Sequence, residues 1–414
     1  MKLLVLFSLM ITPLILKGQE AHSYHLDVHI DMETRSLHID GYVDIDYQNK
    51  DSLNFTLWKY SNIERIEIGD IPCVFNFDTM AASPSFFTPN GRNLSIRIPD
   101  EIKGSDQRIH FMYTSDMSEL GIGWEGVFTD EWIELAVYSG WFPIHGGNYS
   151  AELKVYINEE YKVTGSGAVS QKNGFWEINK SWKSFDIVLM ASKDLKSKVY
   201  KENSAKIQID YTNLSDAGSD STINDCKFAF RLFEESFGKM NDANMKIVMG
   251  PARKGGGYSR KHFITMPANN YGPNLSYGNA HEIAHFWWSN APANYWEDWL
   301  NEAFAEYSSL FFMRERFGQK EFNRFINEYK EKTIDTAPVW GVDRQSEEAY
   351  YVLYMKGSLI LSDLEQKLGT EQFLSLLNMV SDNNISSTED LLKLISQKVS
   401  EDVSKWLENE LKTR

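Results

Sequence analysis

From Tyr24 onward apolar and polar residues alternate strictly. Tyr24, Leu26, Val28, Ile30 and Met32 are interleaved with His25, Asp27, His29 and Asp31. A period of two with one polar face predicts half-exposed antiparallel strands. Leu37, Ile39, Val43, Ile45 and Tyr47 repeat the pattern. Further strands are predicted at Asn93–Pro99, Arg108–Tyr113, Ala151–Ile157 and Phe175–Ile178, with Asn90-Gly91 and Asn173-Gly174 as turn pairs between them. His25 and His29 are four apart, but a strand does not stack such a pair as a helix does, so they read as surface residues.

The period changes near Lys201–Lys206. A helix is predicted over Ile223–Phe237, with Thr222 as N-cap and Phe228, Leu232 and Phe233 among its buried positions. Short strands are predicted at Lys246–Met249 and His262–Met266. Helices follow at Gly357–Leu368, Glu371–Val380, Thr388–Val399 and Glu401–Leu411. Gly369 should stop the first of these, and Ser387 or Thr388 and Ser400 should cap the later ones. The chain is therefore expected to be α+β and multi-domain: an antiparallel β domain over 21–203, then a mainly helical domain over 204–414.

Composition narrows the class. The 414 residues are 42% hydrophobic and 14% aromatic, enough for substantial cores, and the net charge of −16 argues against nucleic acid or an anionic membrane as partner. Lys2 followed by the apolar run Leu3–Leu16 reads as a signal peptide within residues 1–20, with an uncleaved anchor as the alternative. This leads to an expectation of export, to a periplasmic or extracellular location, with no membrane span after signal removal. Cys73 and Cys226, the only cysteines, read as free and buried.

The chemistry concentrates in His281-Glu282-Ile283-Ala284-His285. On a helix the two histidines lie on one face, one turn apart, and can reach one metal ion; Glu282 beside them can take a proton from a metal-bound water. This short motif also arises by chance on surface helices. A catalytic zinc takes three protein ligands and leaves one position open. Glu302 is the candidate third ligand. The first helix should end near Asn290, because Pro292 follows. A second should begin near Glu297 and Asp298, with Leu300, Ala303, Phe304, Tyr307 and Phe311 at helical spacing. Glu306, one turn past Glu302, reads either as a solvated acid or as a hydrogen-bond partner of a ligand imidazole. Trp287, Trp288, Trp296 and Trp299 read as packing residues.

Trp299-Leu300-Asn301-Glu302-Ala303-Phe304-Ala305 and His285-Phe286-Trp287-Trp288-Ser289-Asn290 resemble the corresponding segments of the aminopeptidase N family of gluzincin metallopeptidases. Sixteen residues separate His285 from Glu302, where the family has eighteen, so a shortened loop is expected. Tyr354-Met355-Lys356-Gly357 resembles the family's Y-x-K-G, whose tyrosine stabilises the oxyanion. The resemblance implies a thermolysin-like catalytic domain and one Zn²⁺ per chain on His281, His285 and Glu302. It also implies Glu282 and Tyr354 as catalytic residues, a peptide or protein substrate, and strands edging the cleft that pair with extended substrate. The family's large C-terminal helical domain has no counterpart here, so a more open cleft is expected.

One family motif is missing. Where G-x-M-E-N supplies a glutamate for the substrate's free amine, this sequence reads Lys254-Gly255-Gly256-Gly257-Tyr258-Ser259-Arg260. No Asp or Glu occurs between Ala243 and His281. The glycines read either as part of a changed specificity edge or simply as a loop. Glu134 aligns loosely with the family's other amine-binding segment. Three readings follow: an aminopeptidase-like zinc peptidase, an endopeptidase or oligopeptidase with the same chemistry, and a non-catalytic peptide-binding protein on the same scaffold.

Overall fold

The computed structural model describes residues 21–45, 50–102, 108–202, 205–240, 244–251 and 256–413. The apolar run expected as a signal peptide lies outside the described residues, as do Tyr47, Arg253, Lys254 and Gly255.

Residues up to about 195 form three sheets. The largest has eight strands in the spatial order Ala168–Lys172, Phe175–Ser184, Tyr149–Tyr156, Ala21–Asp31, Ser36–Ile45, Ile109–Asp116, Ser61–Ile68 and Ile71–Pro72. The alternation fixes its faces: Tyr24, Leu26, Val28, Ile30, Leu37, Ile39, Val43 and Ile45 are all buried, while His25 and His29 look outward. The expectation of antiparallel pairing needs one correction, because Ala21–Asp31 runs parallel to Tyr149–Tyr156. Strand polarity depends on partners far along the chain, and alternation does not encode it.

The mainly helical part begins with a fourth sheet. In spatial order its strands are Lys196–Glu202, Ala205–Tyr211, Met245–Gly250, Phe263–Pro267 and Tyr258–Arg260. The last is an edge strand, paired only with Phe263–Pro267. Among the described residues eight α-helices follow or interleave: α1 (Asp216–Phe237), α2 (Pro273–Ala284), α3 (Trp299–Phe317), α4 (Gln319–Lys332), α5 (Gly357–Leu368), α6 (Thr370–Asp382), α7 (Thr388–Lys398) and α8 (Glu401–Thr413).

Helix α1 starts a full turn and more before the predicted Ile223. Ser215 is its N-cap, its Oγ accepting from the Gly218 amide at 3.0 Å, while Thr222 lies inside the helix and donates to the Gly218 carbonyl. Gly218, Ser219 and Ser221 are weak helix formers, and they hide the true start. Phe233 is buried as expected, but Phe228 and Leu232 are only half-buried, and Phe230 takes the deeper place. In contrast, α5 to α8 fall within a residue or two of expectation. Gly369 ends α5 at φ 80°, and the Ser387 and Ser400 hydroxyls accept from the amides of Asp390 and Val403. Cys73 and Cys226 are free and buried.

Candidate functional site

Helices α2 and α3 position the site. Helix α2 ends at Ala284, not near Asn290, and His285 is its C-cap. The next residues tighten into a turn in which Phe286 donates to Ile283 and Trp287 to Ala284. Four consecutive residues from His285 to Trp288 could extend a helix on periodicity, but Trp287 and Trp288 turn into the core instead. The turn brings the Trp288 carbonyl to 2.9 Å from His285 Nδ1, which fixes that ring with Nε2 facing the cleft.

The connection to α3 is clasped by Asn301. Its amide donates to the Ala291 carbonyl at 2.9 Å and accepts from the Ala291 amide at 3.0 Å. This pair of hydrogen bonds ties the loop to α3. A short 3₁₀ turn, Trp296–Asp298, leads into α3 at Trp299, close to the predicted start. Glu297 does not cap α3; it accepts from the amide and hydroxyl of Thr388 at the start of α7. Asp298 pairs with Arg344 at 2.7 Å.

This scaffold brings His281, His285 and Glu302 together. Glu302 Oε2 lies 3.4 Å from His281 Nε2 and 3.5 Å from His285 Nε2. Tetrahedral zinc with bonds of about 2.0–2.2 Å requires ligand atoms about 3.3–3.6 Å apart. Glu302 Oε2 is also buried, and it faces the two imidazole nitrogens. Two imidazole nitrogens and one carboxylate are a borderline-soft donor set suited to zinc, so these residues fit that ion. Among the described residues this is the one group of three potential ligands so placed.

Glu306 is no solvated acid. It is buried, and its Oε2 stands 2.8 Å from His281 Nδ1. Its other oxygen accepts from the Tyr329 hydroxyl, which is 2.5 Å from that of Tyr277. Tyr329 belongs to α4, a helix not foreseen from the sequence. Its buried stripe Phe322, Phe325, Ile326 and Tyr329 carries the periodic signal that could have found it.

Burial opposes the charge on Glu302 and on both histidines. Mutual hydrogen bonding and attraction outweigh it, so the Glu302 carboxyl is held well below the usual range and both imidazoles are raised. Burial dominates at Glu282, raising its pKa, with His281 and His285 offsetting part of the shift. Its Oε2 also lacks a hydrogen-bond partner.

Tyr354 lies on a π-helical turn, Tyr351–Lys356, that runs directly into α5. Its ring is stacked on that of His281, with centroids 5.9 Å apart and planes within 6°. Burial first, and the Glu302 charge second, raise its hydroxyl far above the ordinary value, so it stays protonated and can donate. Lys356 and Gly357 hold it there. The buried Lys356 ammonium donates to the Thr336 and Ala337 carbonyls at 2.7 and 2.8 Å. A Cβ on Gly357 would fall 2.6 Å from that of Ala303 in α3, beside Glu302. Tyr350 also lines the cleft; Tyr351 does not.

All five sequence-identified residues line one cleft of about 2020 Å³, larger than the 300–1,000 Å³ typical of small-molecule pockets. Segments that connect the β strands supply part of its wall, including Thr88, Tyr138 and Phe185. The cleft edge is the strand Tyr258–Arg260, not the two predicted strands, which are interior. A Cβ on Gly257 would stand 3.0 Å from Glu282 Oε1, so this glycine lets the edge approach the Glu282 carboxylate. Lys246 faces away, buried, donating to the Gly165 and Gly167 carbonyls. Glu134 is buried, accepts from the Trp132 indole at 3.2 Å, and is not among the cleft-lining residues.

Residues 278–409 match the peptidase family M1 domain. No curated protein matches the chain in sequence. Among solved structures, an M1 zinc metallopeptidase variant from Deinococcus radiodurans with a Tyr-Ser-Ala substrate aligns at 15% identity and a TM-score of 0.69, covering 96% of this chain and 95% of that one. A two-domain M1 zinc metallopeptidase variant with bound L-tryptophan aligns at 16% and 0.70, with the same coverage. Native yeast LTA4 hydrolase aligns at 13% and 0.69, covering 95% of this chain and 67% of that one. Residues 278–409 thus match the peptidase family M1 domain, and the chain has the two-domain α+β fold of the M1 zinc metallopeptidases it aligns with.

Proposed function

We propose that this zinc metallopeptidase hydrolyses peptide bonds in the cleft, with His281, His285 and Glu302 as the zinc ligands. The observation that carries the assignment is the pair of separations, 3.4 and 3.5 Å, from the buried Glu302 Oε2 to the two imidazole nitrogens. Zinc there would act as a Lewis acid, polarising a carbonyl and acidifying water. Glu282, with a free carboxylate oxygen and a pKa raised by burial, takes the proton from the attacking water and passes it to the leaving amine. Tyr354, protonated and against His281, donates to the oxygen that becomes negative. Glu306, locked by Tyr329, orients His281.

The cleft volume suits a peptide chain, and the unpaired edge Tyr258–Arg260 offers backbone groups to an extended one. An aminopeptidase-like register is the reading the family match favours. An endopeptidase register is favoured by the edge itself, which has no carboxylate for an amine. Export is proposed as well, from Lys2 and the apolar run after it; N-terminal sequencing of protein recovered outside the cytoplasm would reveal a cleaved start near residue 20, and an intact Met1 in that fraction would refute cleavage.

Elemental analysis of protein purified without chelators, paired with turnover of a peptide panel, tests the central assignment. The wild type should carry about one zinc per chain. Glu282→Gln should retain the metal and lose most turnover, whereas His285→Ala should lose both. Full zinc in His285→Ala, or unchanged kcat in Glu282→Gln, would refute it. Zinc and peptide binding without hydrolysis in the wild type would mark a binding protein on this scaffold.

A further inference from the structure

The cleft wall carries a basic cluster that the catalytic chemistry does not use. Lys183 lies at the end of the strand Phe175–Ser184, and Lys261 follows the edge strand Tyr258–Arg260. Both are exposed, both line the cleft, and neither has an ion-pair or hydrogen-bond partner among the described residues. The two segments are fixed against each other. Trp182 and His262 meet edge to face at 5.4 Å, and the Arg260 guanidinium bonds Asp186 at 2.9 Å.

Arg260 adds a third cation behind the two lysines. It is 7% exposed and packed over Phe185, Tyr258 and Tyr138, with one terminal nitrogen, Nη2, that has no partner. The only acid within residues 181–187 and 257–263, Asp186, is fully buried and committed to Arg260 and to the Val137 amide. In a chain of net charge −16, two unpaired lysines on one wall of a cleft run against the composition. Such a local field attracts anions.

We propose that Lys183 and Lys261, with Arg260 behind them, form a subsite for a substrate carboxylate: an acidic side chain or the C-terminal carboxylate of a short peptide. The location follows from the edge strand. Gly257 stands beside Glu282, and Arg260 is three residues further on, roughly 10 Å at about 3.3 Å per residue. An extended peptide along that edge places its carboxylate about three residues from the bond to be cut. Lys183 and Lys261 are specificity residues and touch no reacting atom. The inference rests on the peptidase reading for its substrate class, but its test does not require turnover.

The experiment measures binding of fluorescent peptides to the Glu282→Gln holoenzyme, alongside turnover by the wild type. Three peptides share a neutral sequence. The first carries Glu with an amidated C-terminus, in versions with Glu at each of several positions. The second carries Gln with a free C-terminal carboxylate, and the third carries Gln and is amidated. The best Glu peptide or the free-carboxylate peptide should bind about tenfold more tightly than the fully neutral one at low salt. The preference should shrink as ionic strength rises past the point where the Debye length is about 10 Å. Which of the two gains affinity identifies the source of the carboxylate. In the double variant Lys183→Glu/Lys261→Glu, both positions being exposed, the ratio of charged to neutral affinity should fall below one. Equal affinities in the parent, or a preference that survives the double reversal, would overturn the subsite. Tight, charge-selective binding without wild-type hydrolysis would retain the subsite and reject the peptidase reading.

Discussion

At the level of single side chains, the site is defined by what surrounds its ligands as much as by the ligands. Glu306 reaches His281 Nδ1 from α3 and is itself held by Tyr329 from α4. Glu306→Gln keeps the shape and removes the charge, and removal of such a partner typically weakens metal binding by about 10–100-fold. Zinc competition with a chelator would measure this; an unchanged affinity would make Glu306 a packing residue. Tyr354→Phe should keep the metal and cost about 2.7–4 kcal/mol in the barrier, read as kcat at saturating peptide, while Tyr351→Phe, whose ring is outside the cleft, should retain wild-type kcat. The reverse result would show that the wrong tyrosine had been assigned. The five proposed catalytic and ligand residues each belong to a short local pattern of the sequence, Tyr354 through the family resemblance of Tyr354-Met355-Lys356-Gly357. Tyr329 and the Trp288 carbonyl were not legible there, because they reach the site through tertiary packing that no spacing records.

At the level of elements, caps and close approaches decide where the catalytic groups stand. Helices α5 to α8 were legible to within a residue or two because their ends carry side-chain caps and a stop glycine. The end of α2 was not, because Pro292 sets only an outer limit on the helix, and the turn that stops it six residues sooner depends on burying Trp287 and Trp288. The π-helical turn at Tyr351–Lys356 was invisible as well, because nothing in the spacing of its residues marks a bulge. Gly357 is where α5 comes close to α3. Gly357→Ala would press a methyl to 2.6 Å from Ala303 Cβ, backbone-bound on both sides. Overpacking of this kind costs about 1–3 kcal/mol. Denaturant unfolding should show the midpoint falling with an unchanged slope. Because Ala303 adjoins Glu302 and Tyr354 precedes Gly357 by one turn, kcat should fall as well. Wild-type stability would mean that the two helices separate freely and that the glycine has another purpose.

Across the whole molecule, the distribution of carboxylates around the cleft bears on which end of a peptide it accepts. The lining acids are Glu282, Asp298, Glu302, Glu306, Glu328 and Asp382. Glu302 and Glu306 are bound to the histidines, Asp298 to Arg344, and Glu328 to Arg324 and Lys332. Glu282 is assigned to the proton, and Asp382 is exposed at the end of α6. Among the described residues the wall from the β-sheet region contributes no lining acid: Glu134 is buried against Trp132, and Asp186 is neutralised by Arg260. An ammonium brought partly out of water needs a carboxylate or several acceptors. None is uncommitted beside the edge strand. One peptide assayed with a free and with an acetylated N-terminus should therefore show a kcat/KM ratio below about one hundred, equivalent to less than about 2.7 kcal/mol. If the ratio exceeds that and falls on Glu134→Ala, then Glu134 must reach the substrate by a rearrangement that breaks its bond to Trp132. If it exceeds that and Glu134→Ala leaves it intact, the amine is held by a group other than these acids, and carboxylate placement does not set which end of the peptide the cleft accepts.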